Sequence, residues 1–312
     1  PIELPKTMRA SLVDSKKITI GLRRSWFFLG ETTTFRPRLH HPQSGINLVP
    51  IVNDSNGLFE PRNSHVMTRH LLLRPTRGER PVTSKITYYM DSTIPGILND
   101  GMIRGVTFWD EAFQSAGFDA GTFNVVQAPS QFDPFALNHC SAKGQWEDWN
   151  SDPTSCGSFG FVQWIMRDHR AFSIGQRIVD PRSGRIIKGH ARIGALRMKQ
   201  DAMIFKAVLA ANTVQNSSSN CTGRTSEIIE RDATAAVVAR AAVLGAHEVG
   251  HTLGLMHNFA GSATGLHEAQ SVMDYPPPIV VEGACANLLY LSSASYMSSI
   301  GFFDSVSIKC AY

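Results

Sequence analysis

His247-Glu248-Val-Gly-His251-Thr-Leu-Gly254-Leu-Met-His257 places three imidazoles and one carboxylate within eleven residues. Residues four apart on a helix share a face, so His247 and His251 can point at one ion. Glu248 follows His247 and borders the same site, where its carboxylate reaches a metal-bound water rather than the metal. Gly254 adopts a backbone conformation that other residues resist, so the chain can leave the helix and swing His257 in as third ligand. Three protein ligands leave a fourth position for water, the arrangement of a catalytic rather than a structural zinc. The stretch therefore predicts one catalytic Zn2+ and a hydrolase. A helix that merely carries surface histidines leaves this spacing unexplained.

The order HExxHxxGxxH followed by a methionine turn resembles the signature of the metzincin metallopeptidases. The turn is Ser271-Val-Met273-Asp-Tyr275, and the resemblance implies that Met273 packs beneath the zinc ligands. The alternative for Met273 is an ordinary core methionine. Tyr275 stands two residues after the methionine, as in family members whose tyrosine reaches the metal or the reaction intermediate. Its alternative is packing against Pro276-Pro277-Pro278. Glu268 and His267 are rivals to His257 as third ligand, on a polar stretch where solvent exposure is the ordinary expectation. His40, His41, His65, His70, His139, His169 and His190 read as surface or satisfied core residues.

Among metzincins the chain is most similar to a little-characterised group of large secreted zinc-dependent metalloproteases. That likeness is carried by Asp180-Pro-Arg-Ser-Gly-Arg-Ile-Ile-Lys-Gly, the HEVGHTLGLMHNF run, SVMDYP and the terminal Ile300-Gly-Phe-Phe-Asp. Phe35-Arg-Pro-Arg-Leu-His-His-Pro-Gln-Ser-Gly also looks like the region before that group's catalytic domain. The resemblance covers about residues 84–312. It implies an α/β (α+β) catalytic domain with a twisted mixed sheet, an active-site helix and a Met-turn, preceded by an irregular β-rich segment. The inserts at 138–158 and 212–225 depart from the family in being enlarged.

Composition narrows the field. Hydrophobic residues make up 43 % and charged residues 18 %, the balance of a globular chain. The net charge of +4 is mild, and the basic residues are scattered rather than gathered with aromatics, which excludes a nucleic-acid role. No run approaches the roughly 18 apolar residues of a membrane helix. The chain opens at Pro1 without a signal peptide, which reads as a mature form or a fragment. Cys140, Cys156, Cys221, Cys285 and Cys310 include no CxxC arrangement, so a structural zinc is not expected. Sequons at Asn53, Asn216 and Asn220, with the cysteines, favour an oxidising, extracellular setting with disulfides and glycans. Cys140–Cys156 and Cys285–Cys310 are the preferred pairs because each closes a local loop, with reduced buried cysteines as the alternative.

Residues 1–81 read as a β-rich lead-in that wraps the catalytic domain, 82–312. Short runs (Lys16-Lys-Ile-Thr-Ile, Ser25-Trp-Phe-Phe-Leu, Leu48-Val-Pro-Ile-Val) alternate there with Pro, Gly and Asn turns. Beyond them, strands are expected at 85–90, 122–126 and 160–167, and a hairpin at 173–193 around Asp180-Pro-Arg-Ser-Gly184. An amphipathic helix is expected over 95–117, with Ile97, Ile103, Val106, Phe108, Trp109 and Phe113 on its apolar side. An alanine-rich helix over 233–253 delivers the zinc ligands, and a last helix falls within 286–311.

The resemblance implies a secreted zinc endopeptidase acting on protein or peptide substrates. Glu248 would activate the zinc-bound water, Tyr275 would assist the oxyanion, and an extended substrate would add to the edge of the 173–193 hairpin. The rival classes are a zinc hydrolase of a non-peptide amide and a binding or adhesive module that retains the metal.

Overall fold

The computed structural model describes residues 29, 35–52, 63–72, 85–137, 159–167, 172–215, 225–263, 271–275, 280–282, 287–289, 297 and 299–312. The chain runs through β1 (Leu48–Val52), β2 (Asn63–Met67), β3 (Arg69–His70), β4 (Ile86–Met90), α1 (Gly96–Thr107) and α2 (Asp110–Ser115). It continues through β5 (Phe123–Gln127), β6 (Phe159–Ile165), β7 (Ile174–Val179), β8 (Arg185–Gly194), α3 (Ala195–Gln215) and α4 (Ser226–Thr252). Then come α5 (Ala260–Ala263), β9 (Val280–Glu282), β10 (Asn287–Leu289) and α6 (Phe302–Ala311).

The main sheet is mixed. β5, β4, β6 and β8 are parallel neighbours in that order, and β7 closes the far edge antiparallel to β8. β4 is buried at nearly every position, as a parallel strand covered on both faces must be. Tyr88 and Tyr89 point to opposite faces, and each enters a different core. On Tyr88's side Met102, Val106, Trp109, Phe113, Val249 and Met273 join the sheet to α1, α2 and α4. On Tyr89's side Phe132, Phe159 and Phe161 form a smaller aromatic cluster. β7 alternates half-buried and exposed residues, the pattern of an edge strand.

α1 lies directly on α4. A Cβ at Gly101 would sit 2.6 Å from the Val238 carbonyl oxygen, and one at Gly105 would sit 2.6 Å from that of Ala242. The alanines of α4 therefore serve close approach, which places the ligand-bearing helix against the sheet.

Expected elements recur with altered limits. The helix expected over 95–117 is two helices, broken at Phe108 and Trp109, whose indole Nε1 donates to the Ala246 carbonyl. Ile97 and Ile103 face solvent, because the buried side is Leu98, Gly101, Met102, Gly105 and Val106. The last helix covers only Phe302–Ala311, and α3, 21 residues long, was not anticipated. The hairpin of β7 and β8 stands where expected. Its turn is closed by Asp180, whose carboxylate accepts from Arg182 N and whose carbonyl accepts from Gly184 N, with Gly184 at φ +79°.

Of the lead-in, Leu48–Val52 is a strand as expected, paired with β2. The runs at 16–20 and 25–28 lie outside the described residues. The described lead-in is bound to the main body: β3 adds beside β8, and Arg38 donates to the carbonyls of Cys310 and Tyr312. Cys310 is a free, exposed thiol on α6, and Cys285, its expected partner, lies outside the described residues. The other four cysteines, the three sequon asparagines and the insert at 138–158 lie outside the described residues. Among the described residues no helix is long and apolar enough to cross a membrane.

Candidate metal centre

α4 begins at Thr225, whose side-chain oxygen accepts from Ile228 N, and runs 27 residues, about 40 Å. Its last turns carry His247, Glu248 and His251. It ends because Gly254 takes φ +108°, with Leu255 N donating to Gly250 O and Gly254 N to His251 O. These two bonds form a Schellman closure, which satisfies carbonyls the helix leaves orphaned. The carbonyls of His251, Thr252 and Leu253 are also capped from a distance. Arg177 of β7 donates to His251 O at 3.1 Å, His70 of β3 to Thr252 O at 3.2 Å, and the Tyr312 hydroxyl to Leu253 O at 2.8 Å. Nothing local in the sequence marks these three capping residues.

Past the turn His257 returns to the helix. One ring nitrogen from each of His247, His251 and His257 lies within 4.8 Å of the others, and Nε2 of His251 is 3.1 Å from that of His257. His247 Nδ1 meets Val272 O at 2.6 Å, and His251 Nδ1 meets Leu255 O at 3.0 Å. A carbonyl only accepts, so each Nδ1 carries the proton and each Nε2 keeps its lone pair for a cation. Burial, aided by the neighbouring imidazoles, pushes His247 and His251 down to about 4, and burial lowers His257 too. All three are neutral at neutral pH, the state a metal ligand needs. The donor set, its tautomers and its spacing fit Zn2+, whose bonds to imidazole are about 2.0–2.1 Å.

Glu248 is 4 % exposed and does not belong to the converging donor set. Burial pushes it up to about 8, opposed by a hydrogen bond from the Gly175 N–H and by the Arg240 charge. A dication at the three histidines acts in the same sense as these two and favours the carboxylate. Arg240 is itself buried against α3, where its Nε and that of Arg197 both reach Asp201.

Beneath the ligands lies the Met-turn. Met273 is fully buried, and a Cβ at Gly250 would sit 2.3 Å from its sulfur. The turn is anchored through Ser271, whose hydroxyl donates to Asp304 Oδ1 at 2.7 Å and accepts from Met273 N at 2.9 Å. Burial raises Asp304 to about 7, with the Ser271 hydroxyl and the Val272 N–H pulling it back. The sequence places Asp304 in a terminal motif but gives it no task.

Tyr275 is 65 % exposed, and its hydroxyl is 2.8 Å from His257 Nε2. That nitrogen is the one a metal would take, so the phenol borders the ion's position. Pro276–278, its alternative packing partners, lie outside the described residues, as do His267, Glu268, His139 and His169. His40, His41, His65, His70 and His190 stand apart from the cluster. His70 and His190 are buried and hydrogen-bonded, to Thr252 O and to Gln163 Oε1.

No curated protein and no solved structure matches the chain. Residues 230–312, which carry the three histidines, the Met-turn and the terminal helix, match the family described as Met-zincin.

Proposed function

We propose that this protein is a zinc metallopeptidase, a secreted endopeptidase that cleaves extended peptides with Glu248 as general base. One observation carries the reading: three neutral imidazoles converge, two of them with their Nδ1 protons pinned outward, and the buried carboxylate beside them is left out of the donor set. Bound there, zinc supplies Lewis acidity toward the peptide carbonyl and acidifies water. The Glu248 carboxylate takes the proton of the attacking water and returns it to the leaving nitrogen. The Gly175 N–H, which already bonds Glu248, holds that carboxylate against β7. Among the described strands β7 pairs only with β8, which leaves its other edge for a substrate strand. Secretion rests on the resemblance and on the sequons and cysteines.

The test is a peptide-library digest read by mass spectrometry, with and without a zinc chelator. Internal cleavages that the chelator abolishes support the reading. A zinc-loaded protein that leaves every peptide intact overturns it, and activity on non-peptide amides alone points to the other hydrolase class.

Tyr275 supplies a finer expectation. Its hydroxyl borders the metal position through His257 Nε2, which supports a part for it as donor to the charge that develops on the carbonyl oxygen, and a donor used only there affects turnover more than binding. Tyr275→Phe is expected to lower kcat by roughly 10- to 1000-fold with KM and zinc content little changed. Full activity in that variant assigns the hydroxyl no part in the reaction.

A further inference from the structure

We infer that Asn47, in the lead-in, is a positioning residue of the metal centre, holding the turn that orients His251 and delivers His257; this rests on the zinc reading of that site. Asn47 lies 207 residues from Gly254 in sequence, yet grips it twice. Its backbone N–H donates to Gly254 O at 2.8 Å, and its Nδ2 donates to Gly254 O and to Leu255 O, each at 3.3 Å. Leu255 O is also the acceptor for His251 Nδ1. The Asn47 amide and the His251 ring therefore share one carbonyl, and the direction of that carbonyl sets the ring.

The neighbours of Asn47 complete a clamp. Ile46, wholly buried, bridges to Leu255, and Met256 N donates to Gly45 O at 2.8 Å. Thr68 N donates to Asn47 O at 2.9 Å, and the Thr68 carbonyl closes the space where a Cβ on Gly254 would sit, 2.4 Å away. His257 needs this clamp more than its partners do. His247 and His251 are each pinned through Nδ1 to a carbonyl, whereas His257 makes its hydrogen bonds only through Nε2 among the described residues. With Nδ1 unanchored, His257 is placed by the backbone of the 254–256 turn, and that backbone is held by residues 45–47.

Outer partners of metal ligands change affinity by about 10- to 100-fold when removed. Asn47→Ala in the full chain is therefore expected to weaken zinc binding by about 10- to 100-fold, read by competition with a chromophoric chelator below the unfolding range. Asn47→Asp keeps the shape and sets an acceptor against two carbonyl oxygens, so the loss should be at least as large. That variant decides the matter if Asn47→Ala does not fold. Phe132→Ala, in the aromatic cluster on the opposite sheet face, tests for general destabilisation and should retain the wild-type zinc affinity. Equal zinc affinity in wild type and the Asn47 variants, or an equal loss in Phe132→Ala, overturns the inference alone. A wild-type protein that takes up no zinc overturns it together with the zinc reading.

Discussion

Glu248→Gln is expected to lower peptide turnover by about 10²- to 10⁴-fold while zinc stays bound. The substitution is nearly isosteric, so the packing around a side chain only 4 % exposed survives. The Gly175 N–H that bonds the carboxylate can bond the amide oxygen instead. What disappears is the capacity to take a proton from water and hand it to nitrogen. Because the converging donors are His247, His251 and His257, metal content should be that of wild type. Loss confined to the reaction step lowers kcat and kcat/KM together and leaves substrate affinity nearly unchanged. Zinc content by elemental analysis, with initial rates on one cleaved peptide, decides it. A glutamine variant that turns over at the wild-type rate removes Glu248 from the proton path.

The metal ligands were legible because their geometry is local. Helical spacing brings His247 and His251 together, and one glycine returns His257, so eleven residues hold the whole ligand set. The β7–β8 hairpin was legible for the same reason: Asp180 and Gly184 close the turn within their own segment. α3 was hidden by its own buried face. Met198, Asp201, Phe205 and Leu209 line that face, so a buried carboxylate interrupts the apolar stripe, while Met203 and Ile204 stand exposed on the other side. α1 misled in the opposite way. Its contact with α4 is made partly by glycines, which carry no hydrophobic signal, and its isoleucines at 97 and 103 face water. Asn47, His70, Arg177 and Tyr312 were not legible at all as parts of the centre, because the carbonyls they cap lie 59 to 208 residues away. A local motif specifies which atoms meet the metal. The residues that hold those atoms still come from the sheet edge, the lead-in and the terminal helix.

Gly175→Ala tests whether β7 and the ligand helix are joined as tightly as this implies. A Cβ there would lie 2.1 Å from the Glu248 carbonyl oxygen and 2.7 Å from the His251 Cβ. Neither atom is the free end of a flexible side chain. Gly175 has no left-handed φ, so the cost comes from contact rather than from backbone conformation. The helix end cannot yield easily, since Arg177, His70 and Tyr312 hold its three terminal carbonyls. β7 must therefore move outward, which stretches the Gly175 hydrogen bond to Glu248 and shifts the edge offered to substrate. Overpacking of this kind costs about 1–3 kcal/mol, and a displacement near 1 Å at a reacting group costs on the order of 10²-fold in rate. The alanine variant should fold with a lowered unfolding temperature and lose about 100-fold in kcat/KM. Gly96→Ala is the matched control, because nothing lies within 4 Å of its added methyl, and it should behave as wild type. If Gly175→Ala keeps full kcat/KM, β7 does not position Glu248 and the substrate strand lies elsewhere.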